Sequence, residues 1–255
     1  MSSGLYTITD FCWTVWKSTF GADTVTPIRS GDPEVQNRPI DISLLEFAMN
    51  DIKKIKEKIQ GTVNDVISGV IFYGVNLYMH ACGNRTKGAN VTAVVMVNTR
   101  TVRAYQTVQE MIKSNSKAPW GNNFALLSVA VPMCEDSENV DPLYFLSKTS
   151  KTIKAKKNSH GLFLTGLLVK TIGKIRGPEA IVKYLRKTLK NTSFGISNLV
   201  GPTEQMMIAN HLVDKFYFII AGGPHISYVP MLGCRPGMHR SEIPGNWYWK
   251  ASSCK

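Results

Sequence analysis

Hydrophobic positions along this chain fall into blocks whose periods predict strands and helices in alternation. Asn90–Arg100 (NVTAVVMVNTR) is a continuous β-branched run that turns polar only at its end, the pattern of a strand covered on both faces. Asn123–Met133 (NFALLSVAVPM) reads as a second buried strand, and Ser193–Pro202 (SFGISNLVGP) and Lys215–Gly223 (KFYFIIAGG) as a third and fourth. Ile40–Met49 (IDISLLEFAM) also suits a strand, after which Asn50 caps a short charged helix that Gly61 ends. Val66–Met79 carries apolar residues on all sides and predicts a helix buried over most of its surface. Asp141 and Pro142 open a long helical region that continues through Gly161–Gly177 and, after Pro178, through Glu179–Asn191. Strands separated by helices predict an α/β class, a mixed sheet with covering helices.

The two ends read differently. Residues 1–40 show no clear period, and Thr26–Pro39 has the proline, glycine and aspartate content of an exposed linker. Beyond His225, proline and glycine interrupt every possible element, so residues 230–255 are expected to form an irregular tail, poorly ordered from Cys234 onward.

Composition changes this picture mainly through charge. The chain has 255 residues, 44% of them apolar and 19% charged, enough to bury one large core or two smaller ones. Of its net charge of +12, nearly all lies between Lys148 and Lys190, where twelve Lys and Arg face one acid, Glu179. These charges ride on the predicted helices without interleaved aromatics or a recognition motif, which argues against nucleic acid as a partner. Either the basic helices form a solvated surface, or they lie on an anionic membrane, since Gly161–Gly177 pairs Leu, Phe, Val and Ile with Lys and Arg. No apolar run is long enough to span a bilayer, and the first sixteen residues lack the basic and apolar regions of a secretory signal. A chain on the cytosolic side follows, with its three N-x-[ST] matches due to chance. Five scattered cysteines without a C-x-x-C pair predict free thiols rather than disulfides or a zinc site.

Candidate chemistry sits at the segment ends. In Thr62–Ile67 (TVNDVI), Thr62 is placed to cap the apolar helix and Asp65, three residues on, to reach back to the cap N–H. Capping leaves Asn64 free for another partner, such as an adjoining strand or loop. Asn98 and Arg100 end one strand, Trp120, Gly121 and Asn122 precede another, and Ser197 and Asn198 end a third before the turn at Gly201 and Pro202. Polar clusters at strand ends either satisfy local backbone groups or line a cleft. The segment Gly195-Ile196-Ser197-Asn198-Leu199 lacks the second glycine of a nucleophile elbow, which weighs against a serine hydrolase.

Taken in order, TVNDV at Thr62–Val66, NTR at Asn98–Arg100, APWGN at Ala118–Asn122, RGPEA at Arg176–Ala180 and NTS…SNLVGP at Asn191–Pro202 resemble the plant wax ester synthase/diacylglycerol acyltransferase family, over about Thr26 to His225. The resemblance implies a chloramphenicol-acetyltransferase-like fold of two related lobes with a channel between them, here incomplete. Residues 1–40 would then be a crossover linker, 41–88 the end of the first acyltransferase region, 89–229 the C-terminal domain and 230–255 an alternative terminus. It further implies transfer of a fatty acyl group from acyl-CoA, as co-substrate, to a long-chain alcohol or a diacylglycerol. No bound cofactor or metal is implied. The expected location is the cytosolic face of the endoplasmic reticulum, or the plasma membrane.

In that family a His-His-x-x-x-Asp-Gly motif supplies the general base, a neutral imidazole that takes the alcohol's proton. None of His80, His160, His211, His225 and His239 has this context. No catalytic residue is therefore assigned, and the chain is expected to be inactive alone. The resemblance gives Asn64, Asp65, Asn98, Arg100, Trp120, Gly121, Asn122, Ser197, Asn198, Gly201 and Pro202 a place along the substrate channel or in its support. The competing function is a non-catalytic lipid-binding module that lies on an anionic membrane through Lys148–Lys190.

Overall fold

The computed structural model describes residues 3–32, 34–37, 45–83, 88–98, 108–113, 124–134, 141–200, 207–213, 227–233 and 246–249. Helix α1 spans Ser3–Thr19, strand β1 Leu45–Ala48 and helix α2 Met49–Lys58. Helix α3 (Val63–Ala81), strand β2 (Thr92–Asn98), the one-turn helix α4 (Val108–Met111) and strand β3 (Phe124–Ala130) follow. Helices α5 (Pro142–Asn158), α6 (Gly161–Arg176) and α7 (Pro178–Asn191) lead to strand β4 (Phe194–Val200). Strands β5 (Met207–Ile208) and β6 (His211–Leu212) make a separate hairpin, and β7 (Ser227–Gly233) and β8 (Asn246–Trp249) close the described chain.

Six strands form one mixed sheet in the order β1-β8-β7-β4-β2-β3. Strands β2, β4 and β7 run parallel, with Val95 opposite Ile196 and Ile196 opposite Val229. Strand β3 runs antiparallel to β2, and β8 antiparallel to both β7 and β1. The expected α/β class therefore holds. Strand β2 is buried from Thr92 to Val95 without alternation, as a strand covered on both faces must be.

Helix α3 packs against α5, meets the sheet through Phe72 and supplies much of the core. Its Phe72 meets Phe194 of β4 edge to face, with ring centroids 6.1 Å apart, and both rings are fully buried. Each such burial stabilises by about 1.5–3 kcal/mol. The helices approach closely because position 69 is glycine: a Cβ there would stand 2.8 Å from Leu146 Cγ of α5. Between α6 and α7, Gly177 takes φ +81°, a left-handed conformation that lets one helix end and Pro178 start the next.

Several expectations are corrected. Residues 3–19, read as part of an unstructured linker, form α1. Its period escaped the sequence because the buried side is polar, with Thr7, Asp10, Lys17 and Ser18 turned inward. The tail expected to be irregular contributes β7 and β8 to the sheet. Pro230 sits in β7 opposite Ser197 of β4, so proline did not exclude a strand here. Asn50 does not cap α2. Strand β1 runs straight into the helix, which starts at Met49 after Ala48 with no side-chain cap. The strand expected at Lys215–Gly223 lies outside the described residues.

Candidate functional site

The α2–α3 junction is built by local rules and held from α5. Gln60 takes φ +49° and its carbonyl accepts a hydrogen bond from Lys154 Nζ at 2.6 Å. Thr62 then caps α3 reciprocally with Asp65. Asp65 N–H donates to Thr62 Oγ1 at 3.2 Å, and Thr62 N–H donates to Asp65 Oδ2 at 2.8 Å. Asp65 is 1% exposed, and its second oxygen has Lys157 Nζ 4.0 Å away. Thr62→Ala removes one half of this reciprocal pair and is expected to lower stability by about 1 kcal/mol, read from chemical denaturation. An unchanged midpoint would show that the Asp65 carboxylate holds the turn without its partner.

Asn64, left free by the cap, points to the sheet. Asn198 Nδ2 of β4 donates to Asn64 Oδ1, joining positions 134 residues apart. The other oxygen, Asn198 Oδ1, is buried with no hydrogen-bond partner, and Ser197 beside it is buried. Because β2 and β4 are parallel and Val95 sits opposite Ile196, Asn98 and Asn198 stand at the same, C-terminal edge of the two strands. Helix α3 thus delivers Asn64 and Asp65 to the edge where these strands end. Arg100, Trp120, Gly121, Asn122, Gly201 and Pro202 lie outside the described residues.

Among the described residues this arrangement donates and accepts hydrogen bonds, and its Asp65 carboxylate is engaged by the Thr62 N–H of the cap. His80 Nε2 is 2.7 Å from the carbonyl of Cys134, a structural contact between α3 and the end of β3, while His160 and His211 are exposed. Among the described residues no group of His, Cys, Asp or Glu could hold a metal ion, and no helix is long and apolar enough to cross a membrane.

Two buried charge clusters escaped the sequence reading. Asp23 accepts from Lys17 Nζ, from Thr92 N at 2.7 Å and Oγ1 at 2.9 Å, and from Ser193 Oγ at 2.7 Å. Asp10 accepts from Lys156 Nζ and Ser159 Oγ, and the Lys156 ammonium sits 3.8 Å above the Trp13 ring. Burial lowers the pKa of Lys156 against the opposing pull of Asp10, and burial, helped by Asp10, raises that of Tyr6. Both clusters join residues far apart in the chain, so no spacing announces them. They also divide the basic stretch: Lys154, Lys156 and Lys157 of α5 are engaged within the protein.

Comparison with known proteins gives these residues a context. The sequence model of the WS/DGAT C-terminal domain matches residues 120–231. Wax ester synthase/diacylglycerol acyltransferase 4 of Arabidopsis thaliana is 29% identical over 233 residues, which cover 87% of this chain and 44% of that protein. Wax ester synthase/diacylglycerol acyltransferase 5 of the same plant is 29% identical over 234 residues, 87% of this chain and 45% of that one. The chain thus spans less than half the length of these relatives. Among solved structures, the wax ester synthase/diacylglycerol acyltransferase from Marinobacter aquaeolei VT8 matches 99% of this chain and 51% of its own, with a TM-score of 0.50 and 12% identity. That likeness is one of fold, the chloramphenicol-acetyltransferase-like class.

Proposed function

We propose that this chain forms the C-terminal part of an acyl-CoA-dependent O-acyltransferase site, a reading supported by the match of residues 120–231 to the WS/DGAT C-terminal domain. The observation that carries the reading is the bond from Asn198, inside the matched span, to Asn64 at the head of α3. It draws the two polar motifs of the resemblance to one edge of the sheet. Asn64, Asp65, Ser197 and Asn198 there shape a wall of the substrate channel, and Asn98 at the same edge, together with Arg100 by resemblance, serves the phosphates or pantetheine of acyl-CoA.

In the reaction, the hydroxyl oxygen of a long-chain alcohol or diacylglycerol attacks the thioester carbonyl while a base takes its proton. The carbon–sulfur bond then breaks, and coenzyme A leaves as the thiol with a proton returned to it. The products are a wax ester or a triacylglycerol. The wall residues orient the acyl donor, and the base comes from a segment with the His-His-x-x-x-Asp-Gly motif. Work on water-insoluble acceptors also calls for contact with a membrane surface, and the cytosolic face of the endoplasmic reticulum fits this reading.

Co-expression with a first-lobe segment bearing that motif tests the proposal. Lipid extracts from cells making both polypeptides are expected to contain ester well above that from either alone, and Asn64→Ala and Asn198→Ala are expected to reduce it. If both polypeptides are folded and soluble, and no pairing makes ester, the reading is wrong.

A further inference from the structure

Helix α1 has its polarity reversed for a surface helix. Its inward side carries Asp10 and Lys17, both ion-paired, while Leu5, Ile8 and Trp16 repeat along the outward side at 50%, 60% and 55% exposure. Phe20 follows at 79%. Helix α6 behaves alike, with Phe163 and Leu167 exposed one turn apart and the same face continuing into Lys170 and Lys174. Helix α1 packs against α6 and α7, which also pack against each other, so the three make one cluster of helices. Lys187 of α7 lies 5.7 Å above the Phe20 ring, which brings the basic and apolar positions together.

The charge of this cluster is one-sided. Helices α6 and α7 carry seven Lys and Arg against the single acid Glu179, and the one acid of α1, Asp10, is buried and paired. We propose that the α1–α6–α7 cluster is a docking surface for an anionic lipid bilayer. Its aromatic and aliphatic side chains enter the headgroup boundary, and the basic residues of α6 and α7 meet the anionic headgroups. Charge decides between occupants. A second copy of the chain would bring the same seven cations to a symmetric interface, whereas an anionic surface is complementary to them. Lys154, Lys156 and Lys157 of α5 take no part, because they are engaged internally. The inference deepens the acyl-transfer reading, on which it rests for its biological sense, by naming the face that meets the lipid.

The test is co-sedimentation of the 255-residue chain with phosphatidylcholine vesicles, with and without phosphatidylserine, at low and high salt. Binding is expected with phosphatidylserine, falling several-fold as salt screens the charges. Lys170→Glu with Lys174→Glu is expected to weaken it about tenfold or more, in line with two lysines at a charged surface. Ile8→Ser and Phe163→Ser are expected to weaken it as well. All four side chains project outward, so circular dichroism and thermal melting confirm that the variants fold, and the salt dependence of the unaltered chain needs no variant at all. Equal binding to both vesicle types, or none, overturns the proposal. A concentration-dependent dimer that Ile8→Ser dissolves would overturn it too, by assigning the face to a second copy. Vesicle binding is measured without turnover: if co-expression yields no ester while binding persists, only the acyl-transfer reading falls, and the reverse result removes only the docking surface.

Discussion

Asp23→Ala is expected to cost the fold about 3–5 kcal/mol, because it strands the Lys17 ammonium in a site from which water is excluded. The side chains of Lys17 and Asp23 are 5% and 0% exposed, and the carboxylate also takes the Thr92 N–H and the hydroxyls of Thr92 and Ser193. Around it, Arg29 donates to the carbonyls of Asp23 at 2.6 Å and Lys190 at 2.9 Å, and the Asp23 N–H donates to the Asn191 carbonyl. The Asp23 side chain therefore ties α1 to the starts of β2 and β4, while its backbone N–H meets the end of α7. A domain's whole stability is about 5–15 kcal/mol, so the loss is a large fraction of it. Urea denaturation reads the effect, with Asp51→Ala as control, since Asp51 pairs with Lys54 on the exposed face of α2 and is worth a few tenths of a kcal/mol at most. A loss at Asp23 below about 1 kcal/mol would mean that the protein relaxes to hydrate Lys17.

The purified 255-residue chain is expected to make no measurable wax ester or triacylglycerol from acyl-CoA. A positioned base typically contributes about 10²- to 10⁴-fold, and orienting the two substrates contributes separately. Of the described histidines, His80 is held by the Cys134 carbonyl, and His160 and His211 are exposed to solvent. Amides and hydroxyls at the sheet edge can orient a thioester but do not take the alcohol's proton. The assay is release of coenzyme A in the presence of a long-chain alcohol, with lipid extraction to detect ester. Turnover by the chain alone, abolished by His211→Ala or His225→Ala, would place the base within it.

What could be read in the sequence was what is local. Thr62 and Asp65 stand three residues apart, so one turn of helix fixes their geometry and the reciprocal cap was legible. The buried strands β2, β3 and β4 were legible because a β-branched run needs no distant information. That Asn64 reaches an adjoining element followed from what the cap leaves unused. That the element is β4, and the partner Asn198, depends on how the sheet is ordered, which no spacing encodes. Helix α1 was missed because its inward residues are charged and polar, and the partners Lys156, Ser159 and Asn191 lie more than a hundred residues away. Strands β7 and β8 were missed because their pairing is with β4 and β1, distant segments that outweigh the local proline and glycine signals.

The long reach of α1 has a consequence for the nascent chain. Asp10 finds Lys156 146 positions later, and Asn191 closes on the Lys17 carbonyl 174 positions after it. At about 5–20 residues per second, the ribosome needs on the order of ten seconds to deliver these partners. Over that interval the helix cannot dock, and its eventual inner side stays hydrated rather than sticky. A helix whose buried face is Asp, Lys, Thr and Ser can wait in water where one lined with Leu and Ile would seek any apolar surface in reach. The hazard during synthesis is carried instead by Leu5, Ile8 and Trp16, the side chains that remain outward once folding is complete.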